Sequence, residues 1–220
     1  MSDVGERVLL LVGSPKGLEK SNSARLGRLV VGMLEERGWS SESAHLHAAI
    51  KSETGRRELF EAIDRANVVL LAAPLYVDSL PAPAIRALEL IAAHRRASDV
   101  KRMPRFVSMI QCGFVEPSQN DTCQRILRRF ADCTGFEWVA GVSLGGGGRV
   151  TKLVRTAFDI LGEALDLEIL VPDGVEQRTR KPSMPGWLYV IGGNMGWKRL
   201  ADKNGVKDQL RARPYERRGS

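Results

Sequence analysis

The chain has 220 residues, of which 43% are hydrophobic, and this is enough to bury the core of one α/β domain with an appendage. No apolar run approaches the roughly 20 residues that span a bilayer, and the N-terminus lacks the basic and apolar segments of a signal peptide. Three cysteines at wide spacings argue against a disulfide framework and indicate a reducing compartment, so we expect a cytoplasmic protein.

The net charge of +7 is concentrated at the C-terminal end. Residues 197–220 contribute +5, which leaves the rest of the chain close to neutral. A basic tail can bind nucleic acid, an anionic membrane or an acidic partner. A solvated face without a partner is the preferred interpretation, and nucleic acid is not an expected ligand.

Five short runs, four of them strongly apolar, are each followed by a pattern with the period of a helix, and the apolar runs predict strands buried on both faces. The second run is the weakest and predicts an edge strand. The predicted strands are residues 8–12, 41–46, 68–73, 106–111 and 136–144, and the predicted helices are residues 23–37, 58–66, 81–94, 118–134 and 151–167. This alternation is typical of a doubly wound parallel sheet with helices on both faces.

The composition changes at Pro172. Residues 172–185 are polar and contain several prolines, so they predict a linker. Residues 186–200 predict a helix, although three glycines weaken it. We therefore expect a domain over residues 1–171 and a basic extension over residues 172–220 that packs on the core or on a partner subunit.

The loops that follow the strands carry the candidate chemistry. In a doubly wound sheet, ligands bind outside the carboxyl ends of the strands, where the strand order reverses. In a five-stranded sheet of order 2-1-3-4-5, that point lies between strands 1 and 3. The loops of residues 14–23, 74–81 and 112–118 then face one pocket.

The first of these loops has the character of an anion site. Ser21, Asn22 and Ser23 are three consecutive N-cap-type residues before a strongly periodic helix. Free backbone N–H groups at a helix start, hydroxyls beside them and Lys16 in the loop favour a phosphate monoester as the ligand. The alternative is that the three residues form a helix cap and nothing more.

Three segments together resemble the flavodoxin-like family of NAD(P)H-dependent FMN reductases and related FMN oxidoreductases. They are GSPKGLEKSNS at 13–23, ANVVLLAAPLYVDSLPAP at 66–83 and WKRLADKNGVKDQLRARPY at 197–215. The resemblance implies a flavodoxin-like sheet of order 2-1-3-4-5, FMN as cofactor and NAD(P)H as co-substrate. It also implies hydride transfer from the nicotinamide to the flavin, followed by transfer of two electrons to a small acceptor such as a quinone, a flavin or a nitro- or azo-aromatic compound.

The same resemblance implies which residues bind FMN. It assigns the phosphate to Ser14, Lys16, Ser21, Asn22 and Ser23. It assigns the isoalloxazine to Pro74, Leu75, Tyr76, Val77 and Asp78, although we expect the Asp78 carboxylate to cap the following helix. It places Cys112, Gly113 and Phe114 at the polar edge of the ring, where backbone N–H groups stabilise the reduced flavin. The cofactor carries the redox chemistry, so no protein residue is predicted to be catalytic.

Two other classes of function remain open. The first is a flavodoxin-type electron carrier, although the basic charge of the chain disfavours that interpretation. The second is a cofactor-free binding module that uses its basic tail. We predict no metal site, because Cys112, Cys123 and Cys133 lack the tight spacing of a zinc or iron–sulfur site. Family members often place the flavin near a subunit interface, so we expect a homodimer or homotetramer, with residues 187–197 forming part of the contact.

Overall fold

The computed structural model describes residues 5–98 and 102–213, and the predicted fold is confirmed. The strands are β1 (Arg7–Val12), β2 (Ser40–His45), β3 (Val68–Pro74), β4 (Arg105–Gln111) and β5 (Glu137–Leu144). The helices are α1 (Asn22–Glu35), α2 (Leu46–Ala49), α3 (Glu53–Arg65), α4 (Ala82–Ala97), α5 (Asp121–Thr134), α6 (Lys152–Asp166), α7 (Gly174–Thr179) and α8 (Gly186–Lys203). The strands are all parallel and form one sheet of order β2-β1-β3-β4-β5.

Both faces of this sheet are buried, which explains the continuous apolar strands. Alternate residues of β1 point to opposite faces, so Leu10 packs beneath α1 and α6 whereas Leu9 packs beneath the helices of the other face. That second layer consists of α3, α4 and α5. A strand that must be apolar on both sides loses the period-2 alternation of a half-exposed strand.

A glycine sets how closely α1 approaches the sheet. A Cβ atom at Gly27 would lie 2.4 Å from Cδ1 of Leu10 and 3.2 Å from Cδ2 of Leu70. Leu10 and Leu70 are fully buried, so neither side chain has room to retreat. The helix therefore lies directly on β1 and β3, and its N-terminus is held at the carboxyl end of β1.

The prediction of a linker over residues 172–185 is wrong in its central part, because α7 lies there. Val175 is fully buried, and the Glu176 carboxylate accepts a hydrogen bond of 2.8 Å from the N–H of Gly141 on β5. The chain divides into two compact units between Ser183 and Met184, so α7 belongs to the first unit. The predicted boundary lay after residue 171.

The second unit contains α8, and the predicted helix is confirmed and extends to Lys203. The last part of the basic tail, residues 214–220, lies outside the described residues. Across the described ranges, no helix is both long enough and apolar enough to cross a membrane.

Candidate functional site

The loop after β1 begins as a tight exit from the sheet. The N–H of Gly13 donates to the carbonyl of Ala72 on β3 over 2.9 Å, and a Cβ atom at Gly13 would lie 2.9 Å from that of Ala73. Ser14 is buried, and its hydroxyl accepts a 3.2 Å hydrogen bond from the N–H of Lys16. The backbone of the loop is thus held by a hydrogen bond from Gly13 to β3 and by a second one from Lys16 to the Ser14 hydroxyl.

The N-terminus of α1 presents donors that have no acceptor within the described chain. Ser21 is the N-cap, and its hydroxyl accepts from the N–H of Ala24 over 3.2 Å. The N–H groups of Asn22 and Ser23 precede the first intrahelical hydrogen bonds. The Ser23 hydroxyl is only 2% exposed and has no hydrogen-bond partner. Donors without partners at the positive end of a helix dipole constitute an anion site.

The side chain of Asn22 contacts the loop after β5. Its amide donates to the carbonyl of Gly147 over 2.5 Å, and its oxygen accepts from Nε of Arg25 over 2.9 Å. Arg25 in turn donates from Nη2 to the carbonyl of Gly148 over 3.3 Å. This side chain therefore fastens the loop after β5 to α1, and the second hydrogen of its amide and its backbone N–H remain as donors for an anion.

The loop after β5 requires its glycines. Gly146, Gly147 and Gly148 have φ angles of +60°, +71° and +75°, which L-residues rarely adopt. A Cβ atom at Gly148 would lie 2.6 Å from Cδ1 of Leu26 and 2.9 Å from Nδ2 of Asn22. The run of glycines forms the contact between this loop and the start of α1.

The loop after β3 carries an exposed tight turn. The N–H of Leu75 donates to the carbonyl of Gln111 over 2.8 Å, which joins the loops after β3 and β4. Tyr76 and Ser79 then exchange backbone hydrogen bonds of 2.8 Å and 3.1 Å around Val77 and Asp78. Both central residues have positive φ, +47° and +60°, which is a strained conformation for a β-branched residue.

This turn exposes apolar surface. Val77 is 98% exposed and Tyr76 is 49% exposed, although Ala72 and Ala73 near the end of β3 are buried. The expectation that Asp78 caps the following helix is wrong, because the N-cap of α4 is Pro81 and no side chain bonds there. Asp78 instead lies at the tip of the turn.

The loop after β4 carries the third predicted segment. The N–H of Cys112 donates to the carbonyl of Leu144 over 2.9 Å. This N–H is therefore already occupied, whereas the sequence had predicted that it faces the flavin. Gly113 and Phe114 are exposed, Phe114 at 57%. Burial raises the pKa of the Cys112 thiol, although hydrogen bonds with the Phe114 backbone and the Asn120 side chain oppose the shift. Cys112 is thus a neutral, buried thiol at physiological pH.

One contact of the loop after β1 could not be found from the sequence pattern alone. Nε2 of His45, at the end of β2, lies 2.8 Å from the carbonyl oxygen of Ser14, so Nε2 carries the proton and donates to it. In the sequence, His45 is an isolated histidine at the end of a predicted strand. It reaches the loop after β1 because β2 lies next to β1 in the sheet. Among the described residues, no group of His, Cys, Asp and Glu side chains is arranged to hold a metal.

Hydrogen bonds link the loops at the carboxyl ends of β1, β3, β4 and β5 to one another. At this end of the sheet, the N-terminus of α1, with its unpaired donors, lies beside two loops that expose aromatic and apolar side chains. The sequence profile described as NADPH-dependent FMN reductase matches residues 7–163. The chain belongs to this family. FMN is accordingly its cofactor, and a reduced nicotinamide is its co-substrate. The matched region ends within α6, so α7 and α8 lie beyond it.

Several solved structures have the same fold. An NADH:FMN oxidoreductase in its apo form superposes with a TM-score of 0.61 at 16% identity, covering 82% of this chain and 96% of that one. An FMN-dependent NADH-azoreductase from Bacillus anthracis in complex with FMN gives 0.55 at 13% identity, with coverage of 74% and 99%. A Streptococcus pneumonia flavodoxin gives 0.56 at 12% identity, again covering 74% and 99%. No curated protein matches the sequence significantly.

The residues present at the site suit FMN. The unpartnered Ser23 hydroxyl and the unpaired N–H groups of α1 are the donor set that a phosphate monoester requires. Lys16 and Arg25 add positive charge beside them. Tyr76 and Phe114 supply exposed aromatic surface for a planar ring at the same end of the sheet.

Proposed function

We propose that this FMN reductase transfers two electrons from NAD(P)H to a small acceptor, a quinone, a free flavin or a nitro- or azo-aromatic compound. One observation carries the proposal: phosphate donors on α1 and an exposed aromatic-apolar rim occur at the same end of one sheet. Family membership supports it. Two proteins of the same fold act on acceptors of this kind by name: the FMN-dependent NADH-azoreductase and an NAD(P)H:quinone oxidoreductase from Methanothermobacter marburgensis. The second superposes with a TM-score of 0.53 at 16% identity, covering 74% of this chain and 95% of that one.

In this proposal the phosphate binds at the start of α1. The backbone N–H groups of Asn22 and Ser23 and the Ser23 hydroxyl donate to it, and Lys16 supplies charge. The hydroxyls of Ser14 and Ser21 already accept from the backbone, but each retains its own O–H as a donor. His45 holds the Ser14 carbonyl and so keeps the loop in a shape that fits the phosphate.

The ring binds against the loops after β3 and β4. Pro74, Leu75, Tyr76 and Val77 form one side of its site, and Gly113 with Phe114 borders the other. When bound, FMN supplies the redox chemistry by accepting hydride from the nicotinamide and passing electrons to the acceptor. The protein residues orient the ring and shield part of it from water. They need not act as acid, base or nucleophile, because the cofactor carries the redox chemistry. The exposed rim leaves room for a second substrate to stack on the ring.

We propose NADPH as the preferred donor. Arg149 is an exposed basic residue next to the loop after β5 that has no part in the proposed FMN phosphate site, and it favours the extra phosphate of NADPH. Steady-state titration with both nucleotides checks this point, and a larger kcat/KM for NADH refutes it.

We also propose that the protein is a homo-oligomer that works in the cytoplasm. The first ten residues of α8 include Trp187, Tyr189 and Ile191, all of which are exposed. Apolar surface of this extent is typical of a protein contact. All three cysteines are free thiols, which suits a reducing compartment. Light scattering tests the assembly, and a monomer at micromolar concentration refutes it.

An absorption spectrum of the purified protein tests the proposed reaction. We expect bound-flavin bands after FMN is added, and we expect them to bleach when NADPH is added without oxygen. Bands that bleach only with dithionite favour the alternative of a flavodoxin-type carrier. Absence of any bound flavin refutes the site and favours the alternative of a binding module that uses its basic tail.

A further inference from the structure

Asn120 is a buried amide directly beneath the loop after β4, which borders the proposed ring site, and the loop after β5, which contacts that loop. It ends the 3-10 turn of residues Pro117–Asn120, immediately before α5, and it is 0% exposed. Its Nδ2 donates to the carbonyl of Ile110 near the end of β4 and to that of Leu144 at the end of β5, both over 3.3 Å. The two hydrogens of one amide thus join the carboxyl ends of two neighbouring strands.

Both loops start from this junction and are linked further by backbone hydrogen bonds. The N–H of Gly147 donates to the carbonyl of Cys112 over 2.8 Å, and that of Gly146 donates to the carbonyl of Phe114 over 2.6 Å. A Cβ atom at Gly145 would lie 2.4 Å from the carbonyl oxygen of Val115, so the two loops are in direct backbone contact. A change at their common base therefore moves both loops together.

The oxygen of Asn120 indicates that the residue is not optimised for stability alone. Oδ1 is buried and has no hydrogen-bond partner. An unmatched buried acceptor lowers the stability of the folded protein. The primary amide is nonetheless suited to this position, because it offers two donors in a fixed plane and the two strand carbonyls need one donor each.

We propose that Asn120 is a positioning residue of the flavin site, which fixes the loops of residues 112–116 and 145–148 in the arrangement that accepts the ring. This assignment rests on the proposed function, since it concerns the same site. Asn120 itself contacts neither ligand; it acts through the carbonyls of Ile110 and Leu144, from which the two loops continue, and through the Cys112 thiol beside it.

The chain contains a matched control four residues further along α5. Gln124 is also a buried amide that bridges β4 and β5: Nε2 donates to the carbonyl of Val142 over 2.9 Å, and Oε1 accepts from the hydroxyl of Ser108. These contacts lie in the middle of the strands and reach neither loop. Removal of either amide disturbs the same strand pair, but only Asn120 supports the loops.

The experiment compares Asn120→Ala, Asn120→Ser and Gln124→Ala with the unaltered protein. FMN affinity is measured by fluorescence quenching, the reduction potential of the bound flavin by anaerobic dye equilibration, and stability by urea unfolding without FMN. We expect all three variants to lose stability. Only the Asn120 variants should raise the Kd for FMN, by about ten-fold for alanine, and shift the potential, because the loops lose their support.

Asn120→Ser retains one donor and should give an intermediate rise in Kd, and it serves for the comparison if the alanine variant fails to fold. Asn120 variants with an unchanged Kd and potential would overturn the positioning role, as would a Gln124→Ala variant that changes both as much. An unaltered protein that binds no FMN would overturn the proposed function and this role with it. An unaltered protein that binds FMN, with Asn120 variants that bind it equally well, overturns the role alone.

Discussion

The contact between the glycine loop and α1 can be tested by two alanine substitutions at adjacent positions. Gly147 and Gly148 have nearly equal φ angles, +71° and +75°, so alanine at either position forces the same left-handed backbone. Their surroundings differ. A Cβ atom at Gly147 meets no atom within 4 Å, whereas one at Gly148 lies 2.6 Å from Leu26 and 2.9 Å from Asn22. The pair therefore separates backbone strain from steric overlap.

The left-handed conformation costs an L-residue about 1–2 kcal/mol, so Gly147→Ala should lower the free energy of unfolding by about that amount. Gly148→Ala adds the cost of overpacking, typically about 1–3 kcal/mol. Relief is difficult, because Leu26 is fully buried in the core and the Asn22 amide already bonds to the Gly147 carbonyl. We therefore expect Gly148→Ala to be the less stable variant by about 2 kcal/mol.

Urea unfolding of the FMN-free protein measures both changes, and titration with FMN measures their effect on the site. Gly148→Ala should weaken FMN binding more than Gly147→Ala does, since the overlap displaces the start of α1, which is the proposed phosphate site. Equal stability of the two variants would refute the close packing of Gly148. Equal FMN affinity would show that the loop does not determine the position of the phosphate donors.

Three further predictions concern strain, charge and thiol reactivity. Asp78→Gly should raise the melting temperature, because glycine relieves the left-handed strain of the exposed turn; a lower melting temperature contradicts that strain. The pKa of Glu6 is raised, chiefly by burial and then by Glu168 and Asp166, so its ionised form opposes folding above the ordinary carboxyl range. Glu6→Gln should therefore stabilise the protein at pH 7 and have no effect below about pH 4, as thermal unfolding at both pH values will show; equal effects at both pH values contradict this. Iodoacetamide should label the exposed Cys133 fast and the buried, neutral Cys112 slowly, and mass spectrometry that finds equal rates contradicts the buried thiol.

The layer structure of the protein was predictable because it depends on local patterns. Continuous apolar runs such as residues 68–73 can be buried only in a sheet that is covered on both faces, and the periodic stripe that includes Leu26 and Val30 can only be the inner face of α1. The strand order then placed the loops after β1, β3 and β4 at one end of the sheet.

The parts that the sequence did not predict depend on contacts between distant residues. The helix α7 is only six residues long, and its anchor is the bond from Gly141 to Glu176, which are 35 positions apart. The pattern around Asn22 does not show that its amide also binds a carbonyl, because only the return of the loop after β5 brings the Gly147 carbonyl within its reach. Asn120 shows no periodic or motif signal, since its partners are two main-chain carbonyls.

The junctions between loops have a consequence for how the protein unfolds. Because the proposed FMN site lies at the ends of β1, β3, β4 and β5, no single pair of strands or helices can retain it after partial opening. FMN should therefore bind only the fully assembled sheet, and ligand at 100 times its Kd should add about 2.7 kcal/mol to global stability. In hydrogen exchange, that gain would appear as slower exchange in the central strands, β1 and β3, rather than in the loops that touch the ligand alone.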